Sequence, residues 1–176
     1  MVSPSKSDHP HWQRMRFKRH KVWLAVDDAG NVYVVGLSGA DWVEADPVRG
    51  FGGGGFYDAF AAKLNPDGSL SWYTFLGWTD VDQGQGIALD AAGNIYVTGF
   101  AWTDWEDVTP ERGYSGGCDA FVAKLDSGGA LLWNTFMGGA DYDYGYGIAL
   151  DGNGNGYLTG RSSSTWGTPV WAHSGG

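Results

Sequence analysis

A sequence repeat, with copies that begin at Leu24, Ile87 and Ile148, constrains the fold of this chain more than any other feature. The segment LAVDDAGNVYVVG (24–36) recurs as IALDAAGNIYVTG (87–99) and IALDGNGNGYLTG (148–160), and the first two copies are identical at eight of thirteen positions. A second segment, DAFAAKLNPDGSLSWYTFLG (58–77), recurs as DAFVAKLDSGGALLWNTFMG (119–138), with twelve of twenty positions identical. The copies follow one another with a period of 61–63 residues. A repeat of this length indicates one supersecondary unit that buries its apolar faces against its neighbours.

Each period contains four runs that are typical of β-strands. In the middle copy they are GIALD (86–90), NIYVTGFA (94–101), DAFVAKLD (119–126) and ALLWNTFMG (130–138). Short joints that carry glycine connect the first run to the second and the third to the fourth, as β-hairpins require. No stretch combines helical periodicity with good helix formers. The repeat therefore predicts an all-β protein built from four-stranded antiparallel blades of a β-propeller.

The same residues resemble a known repeat family. GIALDAAGNIYVTG, a long loop and then DAFVAKLDSGGALLWNTFMGG are similar to the SBBP repeat, the "seven-bladed β-propeller" repeat of bacterial proteins, over roughly residues 23–165. The resemblance implies a β-propeller, usually within a large exported or cell-surface protein, so we expect the parent protein to be extracellular or at the cell surface. It implies no shared enzymatic activity.

The chain holds about two and a half repeats, so we expect an incomplete propeller in residues 22–176. The predicted units are blade one at about 23–77, blade two at about 86–138, half of blade three at about 147–162 and a tail at 163–176. Ten strands cannot close a ring of blades. We therefore expect a fragment of a larger propeller or, as the alternative, copies that assemble. The expected partners are other blades, from the same parent chain or through self-association at bare strand edges.

Charge separates the repeats from the N-terminal segment. The chain has a net charge of −9, but residues 1–21 contain six of its eleven Lys and Arg residues. The strongly acidic remainder argues against a nucleic-acid partner. We expect residues 1–21 to form a basic, poorly ordered tail, with a nucleic-acid or membrane-surface arm as the alternative. No signal peptide or bilayer-spanning segment is recognisable, so membrane insertion is not expected.

The third copy contains an apparent calcium loop, which the repeat explains as a turn. Asp151-x-Asn153-x-Asn155-Gly156 matches the opening of such a loop, but the twelfth position, where a bidentate Glu is required, is Ser162. The copies align as D-x-x-G-N, which favours a structural hairpin turn in which Asp bonds to the turn amides and Gly supplies a positive φ. The turn residues are Asp27, Gly30 and Asn31, then Asp90, Gly93 and Asn94, and then Asp151, Gly154 and Asn155.

Pairs of aspartates precede the second and third copies. DVDQGQG contains Asp80 and Asp82, and DYDYGYG contains Asp141 and Asp143. Each segment is expected to connect the last strand of one blade to the first strand of the next, near the propeller axis. Carboxylates clustered there are candidate Ca²⁺ ligands. The alternatives are capping of turns or pairing with Lys63 and Lys124, and no cofactor is required by any other pattern in the chain.

Two long loops combine tryptophan with acidic residues and lie, by topology, on the same side as the aspartate pairs. They span 37–57 and 101–118. Long loops on a rigid scaffold often carry function, and exposed tryptophan beside carboxylates is a common way to bind sugars. The candidate ligand-binding residues are Trp42, Trp102, Asp104, Trp105 and Glu106. The alternative is that these tryptophans pack back onto their own blades.

These patterns favour a non-enzymatic repeat module for binding or scaffolding. The alternatives are a carbohydrate- or Ca²⁺-binding propeller face, a protein-binding face, or a purely structural spacer. A glycoside hydrolase or lyase using Asp80 and Asp82, or Asp104 and Glu111, is disfavoured because catalytic acids are normally singular, whereas the Asp-x-Asp pairs recur. The single cysteine, Cys118, excludes an intrachain disulfide and has no neighbouring histidine in sequence.

Overall fold

A computed structural model describes residues 22–42, 45–54 and 56–167 of the chain. Within them it contains ten strands: β1 Trp23–Val26, β2 Val32–Ser38, β3 Asp58–Leu64, β4 Leu70–Leu76, β5 Asp82–Leu89, β6 Ile95–Ala101, β7 Asp119–Leu125, β8 Leu131–Met137, β9 Asp143–Leu150 and β10 Gly156–Ser162. The described residues form no helix, and hence none that could cross a membrane. The predicted tail at 1–21 lies outside them, as do residues 168–176.

The ten strands form three antiparallel sheets. Strands β1–β4 pair in chain order, as do β5–β8, and β9 pairs with β10 alone. We call these sheets blade one, blade two and half-blade three. The predicted all-β fold of four-stranded blades in an incomplete propeller is therefore confirmed.

The first strands of blade two and of half-blade three begin earlier than the sequence suggested. We expected Asp82–Gly86 to connect two blades, but β5 already includes these residues and pairs Asp82 with Ala101. The register shifts between Gly84 and Gly86, and β9 starts at the equivalent position, Asp143. Because a bulge absorbs the extra residue, the pairing continues through a segment whose glycines suggested a loop.

Glycines in these first strands allow consecutive blades to approach closely. A Cβ on Gly86 would lie 3.0 Å from the Cα of Gly147 and 2.9 Å from Cγ2 of Thr98. A Cβ on Gly145 would overlap the Oγ1 of Thr98 and lie 3.0 Å from the carbonyl oxygen of Gly99. The inner strands therefore pack backbone against backbone, which only glycine permits.

The main apolar core lies between blade one and blade two. Tyr33 and Val35 of β2 are buried against Ile95 and Val97 of β6, and Ile87 and Leu89 of β5 pack against this cluster. On the opposite face of blade one, Phe60, Tyr73 and Phe75 form a second cluster, which Trp42 and Phe51 of the 39–57 loop cover. Each blade thus buries one face against its neighbour, and a long loop shields the other face of blade one.

Candidate functional site

The three D-x-x-G-N segments form equivalent hairpin turns. In the first, the Oδ1 of Asp27 accepts hydrogen bonds from the amides of Ala29 and Asn31, and its Oδ2 accepts one from the side chain of Asn31 at 2.7 Å. Gly30 supplies a φ of 82°. The same bonds recur at Asp90 and Asp151.

These turns leave little capacity for a cation. Both oxygens of Asp151 accept hydrogen bonds from N–H groups of its own turn. The bond from the Asn155 side chain holds the pKa of the Asp151 carboxyl below its usual value. The carboxylate is therefore stabilised by the turn itself.

The two repeated lysines lie over tyrosine rings. The Nζ of Lys124 is 5.0 Å from the ring centroid of Tyr96 and 3.8 Å from the Oδ2 of Asp90. The Nζ of Lys63 is 5.3 Å from the ring centroid of Tyr33. Each lysine side chain therefore covers an aromatic ring in the second strand of its own blade.

Two arginines that sequence reasoning missed anchor the long loops. Arg49 donates from Nη1 to the carbonyl of Phe75 and from Nη2 to that of Gly77, while Arg112 donates to the carbonyls of Phe136 and Gly138. The planar guanidinium thereby caps two carbonyls at the end of each blade's fourth strand. A sequence signal was available, because both arginines occur in a Pro-x-Arg-Gly-aromatic pattern, PVRGF and PERGY, once in each long loop.

Blades one and two meet at a pair of buried aspartates, Asp58 and Asp82, which we call the first seam. The amide of Asp82 donates to the carbonyl of Tyr57 at 2.6 Å, so the backbones are joined where β3 and β5 begin. The two carboxyl groups face each other across Gly77, because a Cβ there would lie 2.6 Å from the Oδ2 of Asp82 and 2.9 Å from the Cγ of Asp58.

The second seam, between blade two and half-blade three, repeats this arrangement with Asp119 and Asp143. The amide of Asp143 donates to the carbonyl of Cys118 at 2.6 Å. A Cβ on Gly138 would overlap the Oδ1 of Asp119 and lie 2.7 Å from the Oδ2 of Asp143. Because the partners in each pair are separated by a whole strand and belong to different blades, adjacency in the sequence did not reveal them.

Backbone and indole N–H groups surround these carboxylates. In the first seam, the Oδ2 of Asp58 accepts from the amide of Gly52, while Asp82 accepts from the amide of Trp78 and the indole of Trp105. In the second, Asp119 accepts from the amide of Ser115, and Asp143 from that of Gly139. The Oδ1 atoms of Asp58, Asp119 and Asp143 are buried and have no hydrogen-bond partner among the described residues.

Burial dominates the electrostatics of the seams. It raises the pKa of Asp58 to about 6 and that of Asp119 to about 6. Burial also raises the pKa of Asp82 to about 8, and the charge of Asp58 adds to this increase. The guanidinium groups of Arg49 and Arg112 oppose the shifts at Asp58 and Asp119, because they favour the ionised form.

The four aspartates proposed as Ca²⁺ ligands do not form one cluster. Asp82 and Asp143 are buried in the seams, whereas Asp141 is exposed and the Oδ1 of Asp80 accepts from the adjacent amide of Val81. Over the described ranges, no three His, Cys, Asp or Glu side chains are arranged to hold a metal. Residues two apart lie on the same face of a regular strand, but Asp80 precedes β5, so the pattern does not bring the paired carboxylates together.

Trp105 is a packing residue, which corrects its assignment as a ligand-binding side chain, whereas Trp42 is partly buried. Trp105 is fully buried against Phe121 and Phe136, and its indole N–H donates to the Oδ1 of Asp82 at 2.9 Å. Trp42 stacks on Tyr73 with ring centroids 4.6 Å apart. The fully buried ring of Trp105 cannot stack on a sugar.

A tryptophan beside an arginine recurs at the second seam. The guanidinium carbon of Arg49 lies 5.8 Å from the ring of Trp105, and that of Arg112 lies 5.2 Å from the ring of Trp166. Trp166 follows Trp105 by one period of the repeat. The first strand pair of each new blade is thus followed by a tryptophan that contacts the arginine of the preceding blade.

The other candidate ligand-binding residues remain near the surface. Trp102 is 37% exposed, and its ring centroid lies 5.6 Å from that of the exposed Tyr142, which immediately precedes β9. Asp104 is partly buried and accepts from the amide of Trp105, whereas Glu106 is exposed. Of the three predicted tryptophans, Trp102 is therefore the most exposed.

Cys118 is an unreactive thiol by its surroundings. It is buried beside the second seam and forms no disulfide. Burial raises the pKa of its thiol to about 12, and the charges of Asp119 and Asp143 add to the effect. Because the thiolate is the nucleophilic form, this environment does not support catalysis by Cys118.

Comparison with known proteins supports this architecture. Residues 72–104 and 133–165 each match the SBBP family, described as a beta-propeller repeat. No curated protein matches the chain. Each matched segment runs from the fourth strand of one blade through the first two strands of the next, and so crosses one seam. Two segments of the described architecture, residues 72–104 and 133–165, are therefore similar to SBBP beta-propeller repeats.

Proposed function

We propose that this chain is a non-catalytic repeat module that acts by packing against further β-propeller blades, as a scaffold within an exported or cell-surface protein. The observation that carries the proposal is a comparison of equivalent positions in the three copies of the repeat. Positions that are covered in blade two are bare at their equivalents in blade one and half-blade three. The proposed location is supported by the resemblance to SBBP repeats.

Half-blade three has an uncovered strand edge and an uncovered aromatic ring. In the described residues, β10 pairs with β9 on one side and with no strand on the other, whereas its equivalent β6 also pairs with β7. Tyr157 of β10 is 59% exposed, but its equivalent Tyr96 is 7% exposed beneath Trp133 and Lys124. The complementary partner is therefore a strand pair with the chemistry of β7 and β8.

Blade one has a second bare surface on its inner strand. Leu24 is 64% exposed and Val26 is 56% exposed. Their equivalents in β5, Ile87 and Leu89, are partly buried in the core that blade one covers. A blade that presents the corresponding face would cover Leu24 and Val26 in the same way.

Completing half-blade three in the full chain tests the proposal. A copy of the 119–138 segment is appended after Gly176, so that a third and a fourth strand are available to β10. We expect slow hydrogen exchange to appear at the β10 amides and the ring of Tyr157 to become inaccessible to solvent probes. The expected cause is that the added strands supply the missing hydrogen bonds and apolar contacts.

The matched control carries an extension of identical composition in scrambled order. Equal protection of β10 by both extensions, or none by either, would contradict the proposal, because a specific blade interface requires the DAF-x-AKL pattern. Protection by the native-order extension alone would support it.

A second candidate function is recognition of a glycan by the Trp102 and Tyr142 pair. Its support is that both rings are partly exposed and adjacent beside the long loop of blade two. A glycan array probed with the full chain and with Trp102→Ala tests this candidate. Binding that disappears in the variant would support it, and a silent array would count against it.

A further inference from the structure

The paired carboxylates at the two seams include buried oxygen atoms without a hydrogen-bond partner among the residues that the structure describes, and the packing of blades does not require such atoms. Within the described part of the chain, Asp58, Asp119 and Asp143 each place one buried oxygen without a hydrogen-bond partner at a blade-to-blade contact. We propose that each seam binds one proton, shared between its two buried carboxyl groups, and that loss of this proton weakens the contact between consecutive blades.

Hydrogen-bond counting identifies the buried oxygen of the first seam that lacks a partner. Both oxygens of Asp82 already accept N–H groups, from Trp105 and Trp78, so this side chain is bound as an acceptor. The Oδ2 of Asp58 accepts the amide of Gly52, which leaves its Oδ1 without a partner among the described residues. A proton held between the two carboxyl groups satisfies that buried atom and gives the pair a donor, and Asp82, whose pKa burial raises to about 8, keeps a proton at a pH where Asp58 is ionised.

The second seam contains two such atoms, because the Oδ1 of Asp119 and the Oδ1 of Asp143 both lack a partner among the described residues. The Oδ2 of Asp119 accepts the amide of Ser115, and its Oδ1 lies beside the position that a Cβ of residue 138 would occupy. The Oδ2 of Asp143 lies 2.7 Å from that position. The partnerless oxygen of Asp119 and an oxygen of Asp143 therefore both lie beside Gly138, where one proton can be shared between the two carboxyl groups.

Charge balance also favours one proton per pair. Arg49 faces the first pair, but it also forms an ion pair with Asp107, at 2.5 Å. Arg112 faces the second pair, together with the neutral thiol of Cys118 and the phenol of Tyr114. Two buried negative charges beside one guanidinium leave an excess negative charge at the second pair, which a single proton removes, and at the first pair, where Asp107 adds a further negative charge, a proton reduces the excess.

The pKa shifts of these groups agree with uptake of a proton near neutral pH. Burial raises the pKa of Asp58 and Asp119 to about 6. In an unfolded chain the pKa of the same carboxyl groups lies near the ordinary value of 3.8. A raised pKa in the folded state contributes stability that is complete below the unfolded value and is lost as the pH rises through the folded value.

A metal ion explains the seams less well than a proton. Amide and indole N–H groups point at these carboxylates, and donors of this kind stabilise anions and compete with a cation. A calcium ion requires six to eight oxygen ligands. The carbonyls of Gly77 and Gly138, which lie beside the two pairs, are already bound by Arg49 and Arg112.

Unfolding of the full chain in urea as a function of pH tests the proposal. The slope of the logarithm of the unfolding constant against pH counts the protons released on unfolding, with about a tenfold change per pH unit for each proton. We expect the wild type to release about one proton or more between pH 5 and pH 7, so that it is more stable at the lower pH. Variants Asp58→Asn and Asp119→Asn should each reduce this slope, and adding Asp82→Asn to the double variant should remove most of what remains.

Asparagine is suited to these two positions because its amide oxygen can accept the loop N–H while its NH₂ group replaces the protonated oxygen. The exposed Asp28→Asn changes the net charge equally and should leave the slope unchanged. A wild-type slope of zero, or folded Asn variants that keep the full slope, would overturn the proposal.

Two further measurements guard against ambiguous results. Carboxyl ¹³C NMR titration of the wild type should show buried aspartates with midpoints above pH 5, and it requires no variant to fold. Midpoints that all lie near 4 would overturn the proposal. Addition of CaCl₂ at pH 8 should not restore the stability seen at pH 5, and restoration in the wild type alone would assign the seams to a cation.

Discussion

Trp105 provides the sharpest test of how the blades are held together, and the substitution is Trp105→Phe. The change keeps an aromatic ring against Phe121 and Phe136 but removes the N–H that donates to Asp82 at 2.9 Å. A hydrogen bond to a charged group contributes about 1.5–3 kcal/mol. The smaller ring leaves space in a fully buried site, which costs about 1 kcal/mol more. We therefore expect a loss of about 2.5–4 kcal/mol at pH 8.

The loss should depend on pH in a defined direction. The indole hydrogen bond lowers the pKa of Asp82, which burial raises to about 8, so its removal raises that pKa further. Stability contributed by a raised pKa is lost as the pH rises through the folded value. The deficit of Trp105→Phe should therefore be larger at pH 9 than at pH 5, where the seam holds its proton and depends less on the indole donor.

Urea unfolding followed by circular dichroism measures both effects without relying on Trp105 as a fluorophore. Trp102→Phe is the matched control, because it lies in the same loop and is 37% exposed. It should change stability by less than about 1 kcal/mol. Equal losses in the two variants, or a loss at Trp105 that does not vary with pH, would refute the role assigned to the indole.

Two further predictions concern the second seam. Gly138→Ala places a Cβ against the carboxyl groups of Asp119 and Asp143, so it should lower the free energy of unfolding in urea by about 2 kcal/mol or more. The control is Gly152→Ala, whose Cβ would lie in open space and should have little effect in the same titration. Arg112→Lys removes the guanidinium group that donates to two carbonyls at the end of β8, so it should lower the free energy of unfolding by about 1–2 kcal/mol. Hydrogen exchange in the 101–118 loop should become faster, and unchanged exchange there would argue against loop anchoring.

The hairpins could be predicted from the sequence because their determinants are local. An Asp, a Gly and an Asn close together in the chain define each turn, and three copies separate that shared pattern from the accidental calcium-loop match at Asp151. The number of strands per period and their order followed from the same local signals. The early start of β5 did not, because it depends on a bulge that pairs Asp82 with the distant Ala101.

The contents of the seams could not be predicted because they depend on how blades face one another. Asp80 and Asp82 are near neighbours in sequence, yet the carboxyl group that meets Asp82 belongs to Asp58. Similarly, Trp102 and Trp105 have the same local composition around them, and only the curvature of the loop determines which ring is buried. Residue types indicated which segments carry acidic and aromatic side chains, but the tertiary structure was needed to show which carboxyl groups meet.

The composition of the seams has a consequence for how such chains change length over evolutionary time. The repeat unit that contributes Arg112 and Asp119 to the following contact also contributes Asp82 and Trp105 to the preceding one. A tandem duplication of that unit therefore adds one complete contact between blades. Each residue that the new unit brings to a seam meets its partner residue in the adjacent unit. Copy number in such an array can increase or decrease by genetic recombination without the need for new compensating substitutions.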